Sequence, residues 1–113
     1  MKHGDYIPER GDIVWLNFSP QRGHEQWGRR PALILSPRNY NAKSSLCLCL
    51  PITSKVKGYP FEVALPASLE ISGVVLADQV KSLDHTARNA TFICRAPADV
   101  IEQVQHYVSL LVR

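Results

Sequence analysis

The sequence predicts a mainly β domain, a small barrel or strongly curled sheet, with one α-helix at its C-terminal end. Short apolar, β-branched runs recur at regular spacing between residues 12 and 94, separated by Pro, Gly and Asn. One of them, Ser45 to Thr53, is apolar on both faces, which marks a strand covered on both sides. Only after Pro97 does the apolar period change from two residues to that of a helix.

Gly11-Asp12 opens a first strand, Ile13 to Phe18, and Ser19-Pro20 ends it. A polar loop, Gln21 to Arg30, leads into a second strand near Pro31 to Ser36. Pro37-Arg38-Asn39-Tyr40-Asn41 reads as a turn, because asparagine tolerates left-handed and side-chain-bonded backbone. The central strand Ser45 to Thr53 follows, with Pro51 pointing to a bulge or an edge. Lys55 to Pro60 is a basic loop enclosing Tyr59, and Phe61 to Leu65 is a strand. Gly73 to Ala77 is another, running on toward Gln79 to Leu83, and Thr91 to Cys94 closes the sheet. Pro97 then suits the first helical position, and Asp99 and Glu102 suit the early turns, where the helix dipole favours acids. Val100, Ile101, Val104, Tyr107, Val108 and Leu111 form one stripe that should lie on the sheet. Leu110 and Val112 fall off it, which suggests a contact with another subunit.

At 113 residues, 45% hydrophobic and 20% charged, the chain fits one globular domain, here residues 1–113. No run approaches the ~18 apolar residues of a membrane span. The polar N-terminal stretch lacks a signal-peptide core, so a cytoplasmic location is expected. Cys47, Cys49 and Cys94 lie in strand-like runs without metal-ligand spacing and read as small buried hydrophobes; no metal and no cofactor is expected. The motifs of nucleotide-binding loops, serine hydrolases and zinc proteases are absent. Net charge is only +3, but no acid occurs from Gln26 to Phe61, where Arg29, Arg30, Arg38, Lys43, Lys55 and Lys57 stand. That positive stretch suits a polyanion, nucleic acid being the commonest.

Chemistry concentrates in His24-Glu25-Gln26-Trp27-Gly28-Arg29-Arg30-Pro31. Loops of this kind are usually just solvated. Here, however, a carboxylate and a guanidinium pair stand where a loop meets a strand, among aromatic residues. RNA can be cut by its own 2′-hydroxyl if a group accepts that proton and another steadies the crowded phosphorane. Glu25 is the candidate base and Arg30 the candidate stabiliser, its fork matching phosphate oxygens. Thr53 or Ser54 can donate a hydroxyl hydrogen bond to the same phosphate. His24 is a possible proton donor, whereas His3, His85 and His106 look structural, His106 through packing. Phe18, Trp27, Tyr40, Tyr59 and Phe61 offer rings on which unstacked bases can rest; Trp15 alternates within its strand and fits core or interface.

Arg10-Gly11-Asp12-Ile13-Val14-Trp15, Gly23-His24-Glu25-Gln26 and Arg30-Pro31-Ala32 together resemble the MazF/PemK group of toxin endoribonucleases from toxin–antitoxin systems. The likeness continues through Leu35-Ser36-Pro37, Cys47-Leu48-Cys49, Pro51-Ile52-Thr53 and Lys57-Gly58-Tyr59-Pro60-Phe61-Glu62-Val63 to Leu76-Ala77-Asp78-Gln79-Val80-Lys81-Ser82. It spans nearly the whole chain and is strongest to the MazF branch. The resemblance implies an SH3-like barrel shared with the CcdB toxin, and a homodimer holding single-stranded RNA in a groove across its interface. It implies metal-free cleavage at a short motif, leaving a 2′,3′-cyclic phosphate and a 5′-hydroxyl. Glu25, Arg30 and Thr53 fall on the family's catalytic positions. Phe18, His24, Gln26, Trp27, Ser54, Lys57, Tyr59, Asp78 and Gln79 form the RNA-binding set expected around them. The implied partner is an antitoxin whose acidic, disordered tail competes for the groove. A non-catalytic toxin of the same fold that binds gyrase, or a plain nucleic-acid-binding barrel, is the competing reading; neither needs Glu25, Arg30 and Thr53 together.

Overall fold

The computed structural model describes residues 6–18 and 28–113. His24, Glu25, Gln26 and Trp27 therefore lie outside the described residues, as does His3. Within them the chain forms β1 (Asp12–Asn17), β2 (Arg29–Ile34), α1 (Arg38–Ser44), β3 (Leu46–Thr53) and β4 (Glu62–Ala64). It continues as β5 (Val74–Leu76), β6 (Lys81–Asp84), β7 (Thr91–Arg95) and α2 (Ala98–Val112). Every strand pairing is antiparallel, in the order β4-β5-β3-β2-β1-β7, with β6 also on β3.

Alternation along the strands builds a core on each face, as the doubly apolar Ser45–Thr53 run demands. Ile13, Leu33, Leu50 and Ile52 face one way, with Val63, Val75, and Val100 and Val104 of α2. Val14, Leu16, Ala32, Ile34, Cys47 and Cys49 face the other, closed over by Tyr6, Phe18, Leu83 and Ala90. The cysteines are the small buried hydrophobes expected, with Cys94 half-buried. Their mutual hydrogen bond and burial push the Cys49 thiol above its ordinary range, so it stays protonated and inert.

Two stretches depart from the sequence reading. Pro37 to Asn41 is not a turn but the start of α1, with Pro37 in extended backbone at its head and Ser45 left-handed at its end. Asn41 explains this. It is fully buried, its Nδ2 donates to the carbonyls of Pro8 (2.8 Å) and Ser36 (3.1 Å), and its Oδ1 accepts from Ser36 Oγ (2.6 Å). An asparagine satisfied by distant backbone has no need of a local turn. The segment from Gly73 onward is not continuous either: β5 and β6 both lie against β3, but three extra residues stand between their registers. Leu76 to Val80 stand there against Leu50 and Pro51, with Ala77 buried in the core and Asp78 to Val80 exposed. Pro51, which has no N–H to give, sits where β3 changes partner from β6 to β5.

In α2 the stripe packs as expected through Val100, Ile101, Val104, Tyr107 and Val108, Tyr107 meeting Phe61 edge-on at 5.2 Å. Leu110, Leu111 and Val112 emerge from the sheet and are exposed. His106 is exposed rather than packed, because its position points off that stripe. Trp15 is likewise no core residue, being 36% exposed. His85 is buried and its Nε2 donates to the Asn41 carbonyl at 2.8 Å. Asp12, a buried acid on β1, accepts from Arg95 (2.8 Å), Tyr6 (2.5 Å) and the Glu9 amide (3.0 Å). Burial and that carboxylate push the Tyr6 phenol above its ordinary range.

Candidate functional site

The β2–β3 ladder aligns Ile34 with Cys49, Leu33 with Leu50 and Ala32 with Pro51. The pairing ends there. Residues two apart on a strand share a face, so Arg30 follows Ala32 and Thr53 follows Pro51 on the face these two residues occupy. Arg30 and Thr53 line one open cleft of about 450 Å³, with Pro31, Ile52 and Ile71 as its apolar surface and Ser54, Lys55, Glu70 and Ser72 around it.

The neighbouring arginines have different tasks. Arg29 is tied down, Nη1 to Asn17 Oδ1 at 3.0 Å and Nη2 to Thr91 Oγ1 at 2.8 Å. Arg30 is exposed, and among the described residues no carboxylate forms an ion pair with it. A guanidinium whose backbone is held in a paired strand, with no carboxylate partner among the described residues, can offer its fork to an anion. Thr53 is oriented as well: its Oγ1 accepts from the Lys55 amide at 3.0 Å. One lone pair is thereby occupied, and the hydroxyl hydrogen remains for another acceptor.

A second cleft, about 240 Å³, adjoins the first; Thr53 and Lys55 line both. It gathers Lys57, Tyr59, Phe61, Glu62, Leu76, Asp78 and Gln79. The Lys57 ammonium lies 5.9 Å from the Tyr59 ring centroid, within cation–π range. Glu62 folds this loop, accepting from the Lys57 amide (3.1 Å) and the Gly58 amide (3.0 Å), where Gly58 has a positive φ of 78°. Two converging N–H groups would otherwise form an anion-binding nest; the protein fills it with its own carboxylate.

Of the candidate residues, Arg30, Thr53 and Ser54 thus share the first cleft, and Lys57, Tyr59, Asp78 and Gln79 meet Thr53 in the second. Phe18 lines neither; it is half-buried against the second core cluster, its amide bonded to the Gly28 carbonyl. The sequence marks Lys55 only as part of the basic stretch and gives Glu62, Glu70 and Gly73 no role at the site; for Glu62 the available signal was the Lys57–Val63 motif that contains it. Gly73, at φ 120°, rests on the backbone of Thr53: a Cβ there would lie 2.1 Å from the Thr53 carbonyl oxygen.

The family model for the PemK-like, MazF-like toxin of type II toxin–antitoxin systems matches residues 9–112. The chain belongs to this family. The Endoribonuclease toxin MazF of Escherichia coli K12 is 45% identical over 107 residues, which cover 95% of this chain and 96% of that one. Endoribonuclease PemK of Escherichia coli is 34% identical over 100 residues, 85% and 75% of the two chains. Among solved structures, MazF from Deinococcus radiodurans superposes with a TM-score of 0.87 at 56% identity, covering 96% of this chain and 98% of that one. A MazE–MazF structure from the same organism gives 0.86 at 50% identity, covering 96% and 97%. The mainly β, barrel-like sheet with its C-terminal helix is thus the architecture of the MazF toxins.

Proposed function

We propose that this protein is a toxin endoribonuclease that cuts single-stranded RNA at a short motif without a metal. The observation that supports it most is the meeting of Arg30 and Thr53 in one cleft, in a chain of the MazF/PemK family. In this reading the 2′-hydroxyl of the substrate attacks the adjacent phosphorus. The new O2′–P bond forms as the P–O5′ bond breaks, giving a 2′,3′-cyclic phosphate and a 5′-hydroxyl. Glu25 accepts the 2′ proton, and His24 is the candidate that returns one to the leaving oxygen. Arg30 and Thr53 hold the non-bridging oxygens, where negative charge gathers in the transition state. A toxin that only bound gyrase would have no use for that pairing.

The second cleft takes the neighbouring nucleotides: Tyr59 and Phe61 offer ring faces, while Lys57, Asp78 and Gln79 offer polar groups for bases and phosphates. Gln26, Trp27, Ser54 and Phe18 complete the proposed RNA-binding set. The partner is a cognate antitoxin whose acidic, disordered tail occupies the same basic stretch, an assembly consistent with the MazE–MazF structures of relatives. Two copies form the working unit, in the cytoplasm. Among the described residues no helix is long and apolar enough to cross a membrane.

The deciding experiment incubates purified protein with a long defined RNA in EDTA and maps the new ends by primer extension. Cleavage should persist at full rate in the chelator and stop at one short repeated motif. Cleavage that vanished in EDTA and returned with magnesium would assign a different enzyme class. Glu62→Ala checks the second cleft. Losing its two amide bonds frees the basic loop, so affinity for an RNA blocked by a 2′-deoxy scissile nucleotide should fall about tenfold, with kcat nearly retained. Unchanged affinity would detach this loop from RNA binding.

A further inference from the structure

Among the described residues Glu70 is the one acid lining the first cleft, where Arg30 and Lys55 supply positive charge. A carboxylate there repels the phosphate chain, so its presence calls for a ligand group that phosphates lack. Its mounting is rigid. Leu69 and Ile71, on either side of it, both pack on the hydrophobic core. The loop is closed at its base by the Leu65 amide on the Gly73 carbonyl (3.0 Å), and the Leu69 amide on the Pro66 carbonyl (3.2 Å) tightens it. Gly73 in turn abuts the Thr53–Ser54 backbone. With both neighbours anchored inward, the Glu70 side chain is exposed and displayed at the cleft, and no described cation lies close enough to form an ion pair with it.

We propose that Glu70 selects the nucleotide beside the scissile phosphate by accepting hydrogen bonds from the edge of its base; this rests on the ribonuclease reading above. In single-stranded RNA the Watson–Crick edges are free to be read. An ionised carboxylate only accepts, so it favours bases that offer amino N–H groups. Guanine presents two parallel N–H donors on that edge, matching both carboxylate oxygens; cytosine and adenine present one amino group. Uracil has no amino group and is the disfavoured base. The apolar surface of Pro31, Ile52 and Ile71 gives the base a face to lie on.

The test compares wild-type protein, Glu70→Ala and Glu70→Gln on a randomised RNA pool in EDTA, sequencing the cut ends and following folding by thermal melting. Wild-type ends should show an amino-bearing base at one position flanking the cut. Glu70→Ala should relax that preference about tenfold while leaving the other positions and the melting temperature unchanged. Glu70→Gln, which adds a donor, should shift the preference toward bases with acceptors on that edge. Identical motifs in all three proteins would overturn the inference alone. So would an equal loss of cleavage at every site, which would place Glu70 in the chemistry instead of the reading. A wild-type protein that cut no RNA would overturn the ribonuclease reading, and this inference with it.

Discussion

Arg30→Ala should lower single-turnover RNA cleavage by about 10²–10³-fold, the usual cost of removing one preorganised donor from a transition-state anion. The fold should survive, because Arg30 is exposed and anchors no described carboxylate. Arg30→Lys should recover only part of the rate, since an ammonium keeps the charge and loses the paired donors. Arg29→Ala is the internal control. Its guanidinium bridges Asn17 and Thr91 across three strands, so its loss should appear in the melting temperature before it appears in the rate. Primer-extension time courses with melting curves on the same samples check all three. Cleavage by Arg30→Ala within threefold of wild type would remove Arg30 from the mechanism.

Gly73→Ala should harm both stability and rate. The residue holds φ at 120°, a region that side chains avoid, and the added Cβ would meet the carbonyl oxygen of Thr53 at 2.1 Å and its carbon at 2.8 Å. Backbone cannot rotate aside as a side chain can. Strain and overpacking together should cost about 2–4 kcal/mol, or roughly 10 °C in melting temperature for a domain of this size. What relaxes is the end of β3, so Thr53 should shift. Displacements near 1 Å can cost about 10²-fold in catalysis. The measurement is cleavage at a temperature where circular dichroism shows the variant folded. A folded Gly73→Ala protein that cut RNA at the wild-type rate would show that Thr53 tolerates being moved.

Much of this was legible in the chain because strand alternation and helical periodicity are local. β1, β3 and α2 follow from which residues can be buried together, and Arg30 from the chemistry that a phosphate asks for. The rest depends on distant partners. Pro37 to Asn41 looks like a turn until Asn41 finds the Pro8 carbonyl, 33 positions away. The break between β5 and β6 is a matter of register against β3, which no segment reveals alone. Thr53 and Ser54 offer the same hydroxyl chemistry in sequence, and only the family resemblance prefers Thr53; both line the first cleft. Glu62 and Glu70 look like ordinary solvated acids until loop closure brings them to the clefts. Phe18 reads as a stacking ring in sequence; that part of it also packs on the second core cluster needs the fold. The loop from Gln21 to Trp27, with Glu25, remains a sequence argument.

β3 pairs with β2 along one edge and with β5 and β6 in succession along the other. The hydroxyl of Thr53 therefore sits at the tip of the most heavily shared strand in the molecule. Strands of that kind open only with global unfolding, so β3 itself gives Thr53 no loose hinge by which it could be displaced from a distance. Under the proposed function, restraint on that hydroxyl would arrive as a cover laid across the mouth of the two hollows, not as a deformation of the strand beneath it.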